Sequence, residues 1–364
     1  MPSITKPIAT HPTLQRNDLG LTIRDYEGSM STLCAGCGHD SITAALIRAL
    51  WETSVPPHRI AKLSGIGCSS KTPTYFVSGA HGFNSAHGRM PAIVTGANAA
   101  NRDLLYIGIS GDGDSLSIGL GQMCHAIRRN VRMVYVLENN GVYGLTKGQF
   151  SASADPGSKS KRGEANRLNP IDPVRLALTL GASFVARGFS GDKAQLVPIL
   201  KAAIAHRGFA MVDVISPCVT FNDHNGSTKS YLYTRKHVQQ VTETDFVPPA
   251  GEIVANISGN GISGNGSGNG HVNGVTAVTM HDGSIVRFKT VPHDYDPTDR
   301  AKVTAYLEEH QGDGEVVTGL LYLDESGADM HELNQSSPIP MRDLSYEVLC
   351  PGAEALQRLQ DEYR

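Results

Sequence analysis

The stretch between residues 104 and 146 constrains the fold more than any other part of this sequence. An apolar run, a glycine turn, a helix-like segment and a second apolar run follow one another at residues 104–109, 111–113, 117–129 and 133–137. The pair Asn139–Asn140 comes 25 residues after the turn. This order is typical of a strand, a helix and a neighbouring parallel strand. The sequence therefore predicts an α/β fold with a mostly parallel sheet flanked by helices, and a ligand at the carboxyl ends of its strands.

The polar residues of these two turns suit a divalent metal ion that holds a diphosphate. Asp112 offers a carboxylate and Asn140 an amide oxygen, and Mg²⁺ prefers such oxygen ligands. Glycines let the backbone approach phosphate, and the start of the following helix favours negative charge. The alternative is an ordinary α/β core with two polar turns. The glycine turn, the spacing and the asparagine pair together favour the metal–diphosphate site.

Length and composition set broad limits on the protein. A chain of 364 residues can bury a large core in one or two domains, and its net charge of −3 gives no sign of nucleic-acid binding. We find no apolar run long enough for a membrane span and no apolar core of a signal peptide. We therefore expect a cytoplasmic protein with no membrane or nucleic-acid partner. In that setting cysteines serve as thiols or metal ligands rather than disulfides.

Composition divides the chain into four parts. An N-terminal arm precedes the ligand-binding α/β domain, a Gly/Asn-rich flexible loop follows it, and a C-terminal extension ends the chain, at residues 1–22, 23–250, 251–275 and 276–364. The loop has almost nothing to pack. In the extension, alternation around Asp282–Gly283 predicts a hairpin, residues 300–310 a short helix and residues 319–326 a strand.

The cysteines form an irregular set. The chain has six, at positions Cys34, Cys37, Cys68, Cys124, Cys218 and Cys350. A CxxC pair is typical of a redox dithiol, half a zinc site or half an iron–sulfur site. Four scattered cysteines suit a [4Fe–4S] cluster, but from spacing alone zinc plus core thiols stays equally open. Cys124 and Cys350 are most simply not ligands.

Three further glycine-containing motifs carry polar or charged side chains. They read GIGCSSK at 65–71, HGR at 87–89 and YGLTKGQ at 143–149. The glycines indicate close approach of the backbone to a ligand. His87 could donate to a diphosphate or to a developing oxyanion, although a polar loop histidine is the alternative. Lys71 is either a substrate contact or a solvated surface lysine.

These motifs together resemble the β subunit of 2-oxoacid:ferredoxin oxidoreductases. The resemblance runs from about Leu33 to Thr234 and rests on CAGCGH, GIGCSSK, HGR, GDGD with the asparagine pair, YG and SPC. It implies the thiamine diphosphate-binding fold of the diphosphate-binding type, with a C-terminal extension. It also implies thiamine diphosphate, Mg²⁺ and one [4Fe–4S] cluster as cofactors, and coenzyme A as co-substrate.

The resemblance assigns roles to individual residues. Cluster ligands would be Cys34, Cys37, Cys68 and Cys218. Magnesium ligands would be Asp112, Asn140 and the carbonyl of Val142. Contacts to the cofactor would come from Ile66, Gly67, Cys68, Ser70, His87, Gly111, Asp112, Gly113, Asp114, Asn140, Val142, Gly144, Leu145 and Thr146. The residues expected to act on the substrate or in catalysis are Lys71, His87 and Lys147.

Lys147 indicates which oxoacid reacts. Many members of the family that the chain resembles carry glycine at this position, and a lysine here can pair with a second carboxylate on the substrate. A charge-assisted contact in a closed site contributes about 1.5–3 kcal/mol, which is enough to favour 2-oxoglutarate over pyruvate. The expected reaction converts 2-oxoglutarate and coenzyme A to succinyl-CoA and CO₂, with electrons passing through the cluster to ferredoxin. In reverse, the same steps would fix CO₂, as in a reverse tricarboxylic acid cycle.

One part of a thiamine site is missing from this sequence. We find no convincing pyrimidine-binding domain, and the resemblance places its activating glutamate on an α subunit. We therefore expect a heterodimer or an (αβ)₂ heterotetramer that is inactive without the α subunit. Three alternatives stay open: the same family acting on pyruvate or many 2-oxoacids, a cluster-free thiamine decarboxylase or carboligase, and a non-catalytic iron–sulfur electron-transfer subunit.

Overall fold

A computed structural model describes most of the chain, namely residues 11–160, 162–249, 270–272, 275–292, 295–312 and 314–364. Its strands in chain order are β1 (Ile60–Ser64), β2 (His81–Asn84), β3 (Leu105–Gly111), β4 (Met133–Asn139), β5 (Val142–Tyr143), β6 (Gln149–Phe150), β7 (Phe184–Phe189), β8 (Phe209–Ile215), β9 (Val238–Gln240), β10 (Thr242–Val247), β11 (Gly270–Val272), β12 (Val275–Thr279), β13 (Ile285–Thr290) and β14 (Val316–Leu323).

The α-helices in chain order are α1 (Gly38–Glu52), α2 (Met90–Ala100), α3 (Leu120–Arg128), α4 (Pro173–Thr179), α5 (Lys193–Ala205), α6 (Tyr231–His237), α7 (Arg300–Gly312), α8 (Met330–Leu333), α9 (Tyr346–Leu349) and α10 (Ala353–Glu362). Short 3₁₀ turns lie at Ile23–Tyr26, Pro57–Arg59, Ser69–Thr74 and Met341–Asp343, and one π turn at Gly113–Ile118. Within the described ranges, no helix combines the length and apolarity that crossing a bilayer requires.

An eight-stranded sheet organises the chain, in the order β2-β1-β3-β4-β8-β7-β14-β9. The first six strands of this order run parallel, and β14 pairs antiparallel with β7. Strands β4 and β8 are buried along their whole length. Parallel strands covered by helices on both faces read as continuous apolar runs, and the predicted run at 133–137 lies in β4. The predicted α/β fold with a mostly parallel sheet is confirmed.

Two hydrophobic clusters fill the two faces of this sheet. Helices α1 and α5 pack on one face with the inward residues Ile107 and Val134. Helices α2, α3 and α7 contribute to the other face with Tyr106 and Tyr135. Alternate residues of β3 and β4 therefore point to opposite clusters, as the two-residue repeat of a strand requires. This double packing gives the carboxyl ends of the strands a rigid base.

The predicted strand–helix–strand unit is present as β3, α3 and β4, and β3 pairs parallel with β4. Its helix begins later than expected because the π turn Gly113–Ile118 comes first. The backbone N–H of Gly119 closes that turn by donating to the carbonyl of Asp114 at 2.8 Å. A Cβ on Gly119 would lie 2.9 Å from the Cα of Gly88, so the glycine permits a close crossing of two loops.

The region after residue 240 adds a second sheet and one strand of the first. Strands β10, β13, β12 and β11 form an antiparallel sheet in that order. The predicted hairpin is present as β12 and β13, with Gly283 at φ 82° in its turn. The sequence set residues 276–364 apart as an extension, whereas β14 lies inside the main sheet between β7 and β9. Its nearly continuous buried apolar run accounts for that central position.

The two segments predicted to be arm and loop are described only in part. Residues 1–10 and most of the predicted flexible loop 251–275 lie outside the described residues. The described end of the arm is attached to α1, because Asn17 donates to the Trp51 carbonyl at 3.1 Å and the Trp51 indole donates to the Leu21 carbonyl at 3.0 Å.

Candidate active site

A pocket opens at the carboxyl ends of β1, β3 and β4, where the sequence predicted a ligand. Its cavity volume is about 80 Å³. Its walls come from the loops after these strands and from the segment that follows Asn140. The lining residues are His39, Ile66, Gly67, Cys68, Ser69, His87, Gly111, Asp112, Gly113, Asp114, Asn140, Val142, Tyr143, Gly144, Leu145 and Thr146.

Most residues predicted to contact a cofactor line this pocket. Six predicted residues lie outside its lining, namely Cys34, Cys37, Ser70, Lys71, Lys147 and Cys218. Three lining residues were not predicted, namely His39, Ser69 and Tyr143. The Tyr143 hydroxyl donates to the Gly113 carbonyl at 3.0 Å. Its position directly before Gly144 in the quoted motif was the one sequence signal that could have identified it.

A larger cavity lies at the opposite edge of the sheet. Its cavity volume is about 470 Å³, it lies at the amino ends of β1, β3 and β4, and Arg59, Arg102 and Asp103 are among its lining residues. The ligands of open α/β sheets bind at the carboxyl ends instead. We therefore assign the site to the smaller pocket, which also holds the side chains predicted to bind the metal ion.

The carboxylate of Asp112 is buried and held by three donors. Its Oδ2 accepts from the backbone N–H of Gly141 at 2.8 Å, from the Ser153 hydroxyl at 2.6 Å and from the Ser151 hydroxyl. Burial raises the pKa of Asp112, and the hydrogen bonds from the two serines act in the opposite direction. A nearby cation would favour the ionised form of such a group. The sequence analysis did not identify either serine.

The second predicted ligand lies at a sharp turn. The Asn140 side-chain oxygen accepts from the Val142 N–H at 3.0 Å, and the Asn140 carbonyl accepts from the Asn222 amide at 2.8 Å. Gly141 has φ 74°, and a Cβ there would lie 2.7 Å from the Asn222 amide nitrogen. Glycine is therefore required between the two predicted ligands.

Asp114 joins the loops around the pocket. Its Oδ1 receives hydrogen bonds from His87 Nδ1 at 2.5 Å, from the Gly88 N–H at 2.7 Å and from the Ile66 N–H at 3.2 Å. Its Oδ2 accepts from the Ser110 hydroxyl at 2.7 Å. One buried carboxylate thus ties the GIGCSSK and HGR motifs to the glycine turn, and it fixes the ring of His87 at the pocket wall.

Two glycines make room for this arrangement. A Cβ on Gly65 would lie 1.9 Å from the Asp114 carboxylate, and a Cβ on Gly113 would lie 2.5 Å from the Tyr143 ring. The pocket is thus lined by Asp112 with its carboxylate, Asn140 with its amide oxygen and Val142 with its backbone carbonyl, beside a turn that contains glycines. This donor set fits Mg²⁺ and a diphosphate.

The cysteine loops meet at one side of the pocket. A Cβ on Gly144 would lie 3.4 Å from the Cys68 sulfur and 3.6 Å from the Cys218 sulfur. The Thr220 hydroxyl lies 3.5 Å from the Cys34 sulfur. Chain segments that are far apart in sequence therefore bring these cysteines to one neighbourhood. Across the described ranges, however, no three His, Cys, Asp or Glu side chains are gathered closely enough to hold a single metal ion.

Burial keeps these thiols protonated in the absence of a metal. It raises the pKa of Cys37 to about 12, and it also raises the pKa values of Cys68 and Cys218. Neighbouring cysteines add to the shift, because Cys218 raises the pKa of Cys68 and Cys34 raises that of Cys218. Such thiols become good ligands only when a cation takes the place of their protons.

Comparisons with known proteins bear on this geometry. The family described as thiamine pyrophosphate enzyme, C-terminal TPP binding domain, matches residues 65–214. A "2-oxoacid:ferredoxin oxidoreductase subunit beta" from Sulfolobus sp. is 42% identical over 59% of this chain and 70% of its own length. This chain belongs to that β-subunit family. The family is one of thiamine-dependent oxidoreductases, so the predicted family and enzyme class are confirmed.

Two further relatives narrow the comparison. The "2-oxoglutarate oxidoreductase subunit KorB" of Mycobacterium tuberculosis is 40% identical over 61% of this chain and 58% of its own length. A solved 2-oxoglutarate:ferredoxin oxidoreductase from Magnetococcus marinus, with 2-oxoglutarate, coenzyme A and succinyl-CoA bound, is 29% identical. It superposes with a TM-score of 0.68 over 90% of this chain and 92% of that one.

Beneath the pocket, the β subunit carries two buried titratable residues. Burial lowers the pKa of His39 to about 4 and raises the pKa of Glu138 well above its usual value. Thr72 donates to both Glu138 oxygens at 3.1 Å, and the His39 ring contacts the Ser216 hydroxyl at 2.6 Å. His39 is therefore neutral near pH 7, and burial disfavours the charged form of Glu138, whose Oε2 lies 3.6 Å from His39 Nδ1.

The two lysines predicted to contact substrate do not line the β-subunit pocket. Lys71 is in the 3₁₀ turn that follows Cys68, and Lys147 comes directly after the lining residue Thr146. The Lys147 side chain is exposed and forms no ion pair with any residue that the structure describes. Its backbone has φ 76°, in the left-handed region that favours glycine.

Proposed function

We propose that this β subunit forms the thiamine diphosphate- and cluster-binding half of a 2-oxoglutarate:ferredoxin oxidoreductase. The reaction is the decarboxylation of 2-oxoglutarate and the transfer of its succinyl group to coenzyme A, with two electrons passing one at a time to ferredoxin. Succinyl-CoA and CO₂ are the products. A strongly reducing ferredoxin would drive the same reaction in reverse.

The observation that carries the proposal is the meeting of two donor sets at Gly144. This glycine lines the pocket that contains Asp112 and Asn140, and a Cβ on it would lie 3.4 and 3.6 Å from the sulfurs of Cys68 and Cys218. A thiamine site and an electron acceptor in direct contact suit oxidative decarboxylation. A cluster-free decarboxylase needs no such neighbour, and an electron-transfer subunit needs no diphosphate site.

The residues of the pocket have distinct proposed roles. Asp112, Asn140 and the Val142 carbonyl would hold Mg²⁺, and the glycine turn would face the diphosphate. Thiamine diphosphate supplies, when bound, a nucleophilic carbon and an electron sink for decarboxylation. His87 is fixed by Asp114 at 2.5 Å, so its ring already faces the pocket, and its second nitrogen would donate a hydrogen bond there when the ring is protonated.

The chemistry of the cysteines supports a cluster over a single ion. Cys34, Cys37, Cys68 and Cys218 come from three separate loops that converge beside the pocket. A four-iron cluster is larger than one ion, so its four thiolates stand further apart than the ligands of a single zinc ion. The cluster would supply one-electron transfer next to the site of decarboxylation.

Lys147 supports 2-oxoglutarate as the substrate. Its backbone conformation costs a non-glycine residue about 1–2 kcal/mol, so a lysine here is retained against a local preference for glycine. Its side chain is exposed with no partner among the described residues, and it directly follows the pocket-lining residue Thr146. A second carboxylate on the substrate would provide that partner. Two relatives named for 2-oxoglutarate are consistent with this choice.

The proposed assembly includes an α subunit. The β-subunit name of the relatives implies a partner chain. We propose that this partner supplies the glutamate that activates the aminopyrimidine ring, in a heterodimer or an (αβ)₂ heterotetramer. Ferredoxin would then collect electrons from the cysteine side of the pocket.

A direct experiment tests the proposal. The β subunit is co-expressed with its α subunit, purified without oxygen and assayed with a panel of 2-oxoacids, a dye acceptor and coenzyme A. We expect about four irons and one thiamine diphosphate per β subunit, and coenzyme A-dependent dye reduction that is highest with 2-oxoglutarate. Zinc without iron would refute the cluster, and a higher kcat/KM for pyruvate would refute the substrate.

A further inference from the structure

Asn139 has no role in the site described so far, although it is half of the asparagine pair. Its side chain is buried at the end of β4. Its amide nitrogen donates to Asp213 Oδ1 at 3.0 Å, and its amide oxygen accepts from the Ser153 hydroxyl at 2.9 Å. Asn139 therefore links a buried carboxylate on β8 to the segment that contacts Asp112.

Ser153 connects Asn139 to Asp112. Its hydroxyl carries one hydrogen and has two acceptors within reach, Asp112 Oδ2 at 2.6 Å and Asn139 Oδ1 at 2.9 Å. The carboxylate is the stronger acceptor and the nearer one, so it receives the larger share of this hydrogen. Asn139 holds the same hydroxyl from the other side and limits its rotation.

The far end of the network is a buried ion pair on the central strands. Arg187 on β7 donates from Nε to Asp213 Oδ2 at 2.7 Å and from Nη2 to Asp172 Oδ1 at 2.7 Å. Arg187 and Asp213 are paired neighbours in the sheet, and Leu137 on β4 is the other neighbour of Asp213. The network is thus anchored on β4, β8 and β7, whose positions are fixed by their pairing in the main sheet.

The donors converge on one oxygen of Asp112. The Gly141 N–H and the hydroxyls of Ser151 and Ser153 all reach Oδ2. Three donors on one oxygen fix the plane of the carboxylate, and Oδ1 is the oxygen that these three donors leave for another partner. A metal ligand that is fixed in this way loses less freedom when the ion binds.

We propose that Ser153 and Asn139 are positioning residues that orient the Asp112 carboxylate for the metal ion, with the Arg187–Asp213 pair as their anchor. This inference rests on the proposed function, because it requires a metal ion at Asp112. Loss of such outer contacts typically weakens metal affinity 10- to 100-fold, while the ligand itself remains.

The test measures thiamine diphosphate bound by the αβ complex as a function of Mg²⁺ concentration. We expect Ser153→Ala to raise the half-saturating Mg²⁺ concentration about tenfold, with full binding recovered at high Mg²⁺. Asn139→Ala should raise it about threefold, since both serines still reach Asp112. Ser158→Ala is the matched control, because its hydroxyl donates to the Asp155 carbonyl at 2.6 Å and not to Asp112.

The outcomes separate this inference from the proposed function. A purely structural role would lower the melting temperature of the variants and leave the half-saturating Mg²⁺ concentration unchanged, which would overturn the inference alone. A wild-type complex that binds no thiamine diphosphate at any Mg²⁺ concentration would overturn both. Should Ser153→Ala not assemble, Asn139→Ala decides between the same results.

Discussion

The Asp112 side of the pocket and the cysteine side meet at Gly144, yet they are held in different ways. Asp112 is almost fully buried at the end of a strand, and three protein donors hold one of its oxygens. The cysteines lie on loops, and Cys34 is exposed. The described part of the chain gathers no three of them around a single ion. The first donor set is thus built by the protein, whereas the proposed cluster would have to complete the second.

This difference has a thermodynamic meaning. Where protein groups already fix a ligand, binding adds affinity to an existing structure. Where buried thiols carry protons and lie on loops, binding must also release those protons and order the loops. We therefore expect graded effects from changes near Asp112 and all-or-none effects from changes to the cysteines.

The largest effect is expected from Cys68→Ser. A serine hydroxyl is a poor iron ligand, so iron content should fall from about four per chain to near zero and electron transfer to ferredoxin should be lost. Iron analysis and visible absorbance of the anaerobic complex measure this. Cys124→Ser is the matched control and should keep its iron. Full iron in Cys68→Ser would remove Cys68 from the ligand set.

Asp112→Asn should abolish Mg²⁺-dependent binding of thiamine diphosphate without lowering the melting temperature. Burial raises the pKa of Asp112, so a neutral amide costs less to bury than the carboxylate. Asp114→Asn is the contrasting variant. It should destabilise the fold by about 1–3 kcal/mol, because Asp114 accepts four bonds that hold two loops.

Equal loss of stability in these two variants would contradict the distinction between a ligand and a loop anchor. Thermal unfolding of the protein without cofactor gives that comparison. Equilibrium dialysis with thiamine diphosphate gives the binding.

Lys147→Gly should raise KM for 2-oxoglutarate about tenfold or more and leave KM for pyruvate nearly unchanged, since only the first has a second carboxylate. Stability should not fall, because glycine adopts φ 76° at no steric cost. Lys147→Arg keeps the charge and should retain most of the preference. A parallel change in KM for both oxoacids would remove Lys147 as a selectivity residue.

A last prediction concerns Lys62, which anchors the loop after the Cys68 turn. Its ammonium donates to the carbonyls of Phe76 and Val77 at 2.7 and 2.8 Å, and burial lowers its pKa from 10.5 to about 8. The unfolded chain therefore binds more protons between pH 8 and 10.5, so the free energy of unfolding should rise with pH in that window.

Lys62→Met should remove this rise, which amounts to at most about 3 kcal/mol. Urea unfolding at pH 8 and pH 10 measures the slope separately from the baseline stability. An unchanged slope in Lys62→Met would show that other groups cause the pH dependence. In that case Lys62 would not count as a protein group that holds the cysteine side of the pocket in place.

Local patterns predicted the features that depend on neighbouring residues. The apolar runs, the glycine turn and the asparagine pair predicted β3, β4 and a pocket at their ends. The alternation around Asp282–Gly283 gave the hairpin. Each of these signals lies within a few residues of the structure that it predicts.

Contacts between segments that are distant in sequence could not be predicted from these local patterns. Ser151 and Ser153 reach Asp112 from about 40 residues further along the chain. The π turn that delays α3 depends on the crossing of Gly88 and Gly119. The place of β14 in the main sheet depends on its pairing with β7. Such features are determined by tertiary packing and leave no local pattern in the sequence.

The pairing of the late strands has a consequence for how the protein could be made. The chain from residue 270 onward contributes β13, which pairs with β10, and β14, which pairs with β7. Backbone hydrogen bonds and shared core therefore join the two sides of the interval between residues 249 and 270. We expect the protein to tolerate a break in that interval and to assemble from two separately encoded polypeptides. Such a split would offer two new chain ends at a point remote in sequence from the residues of the pocket.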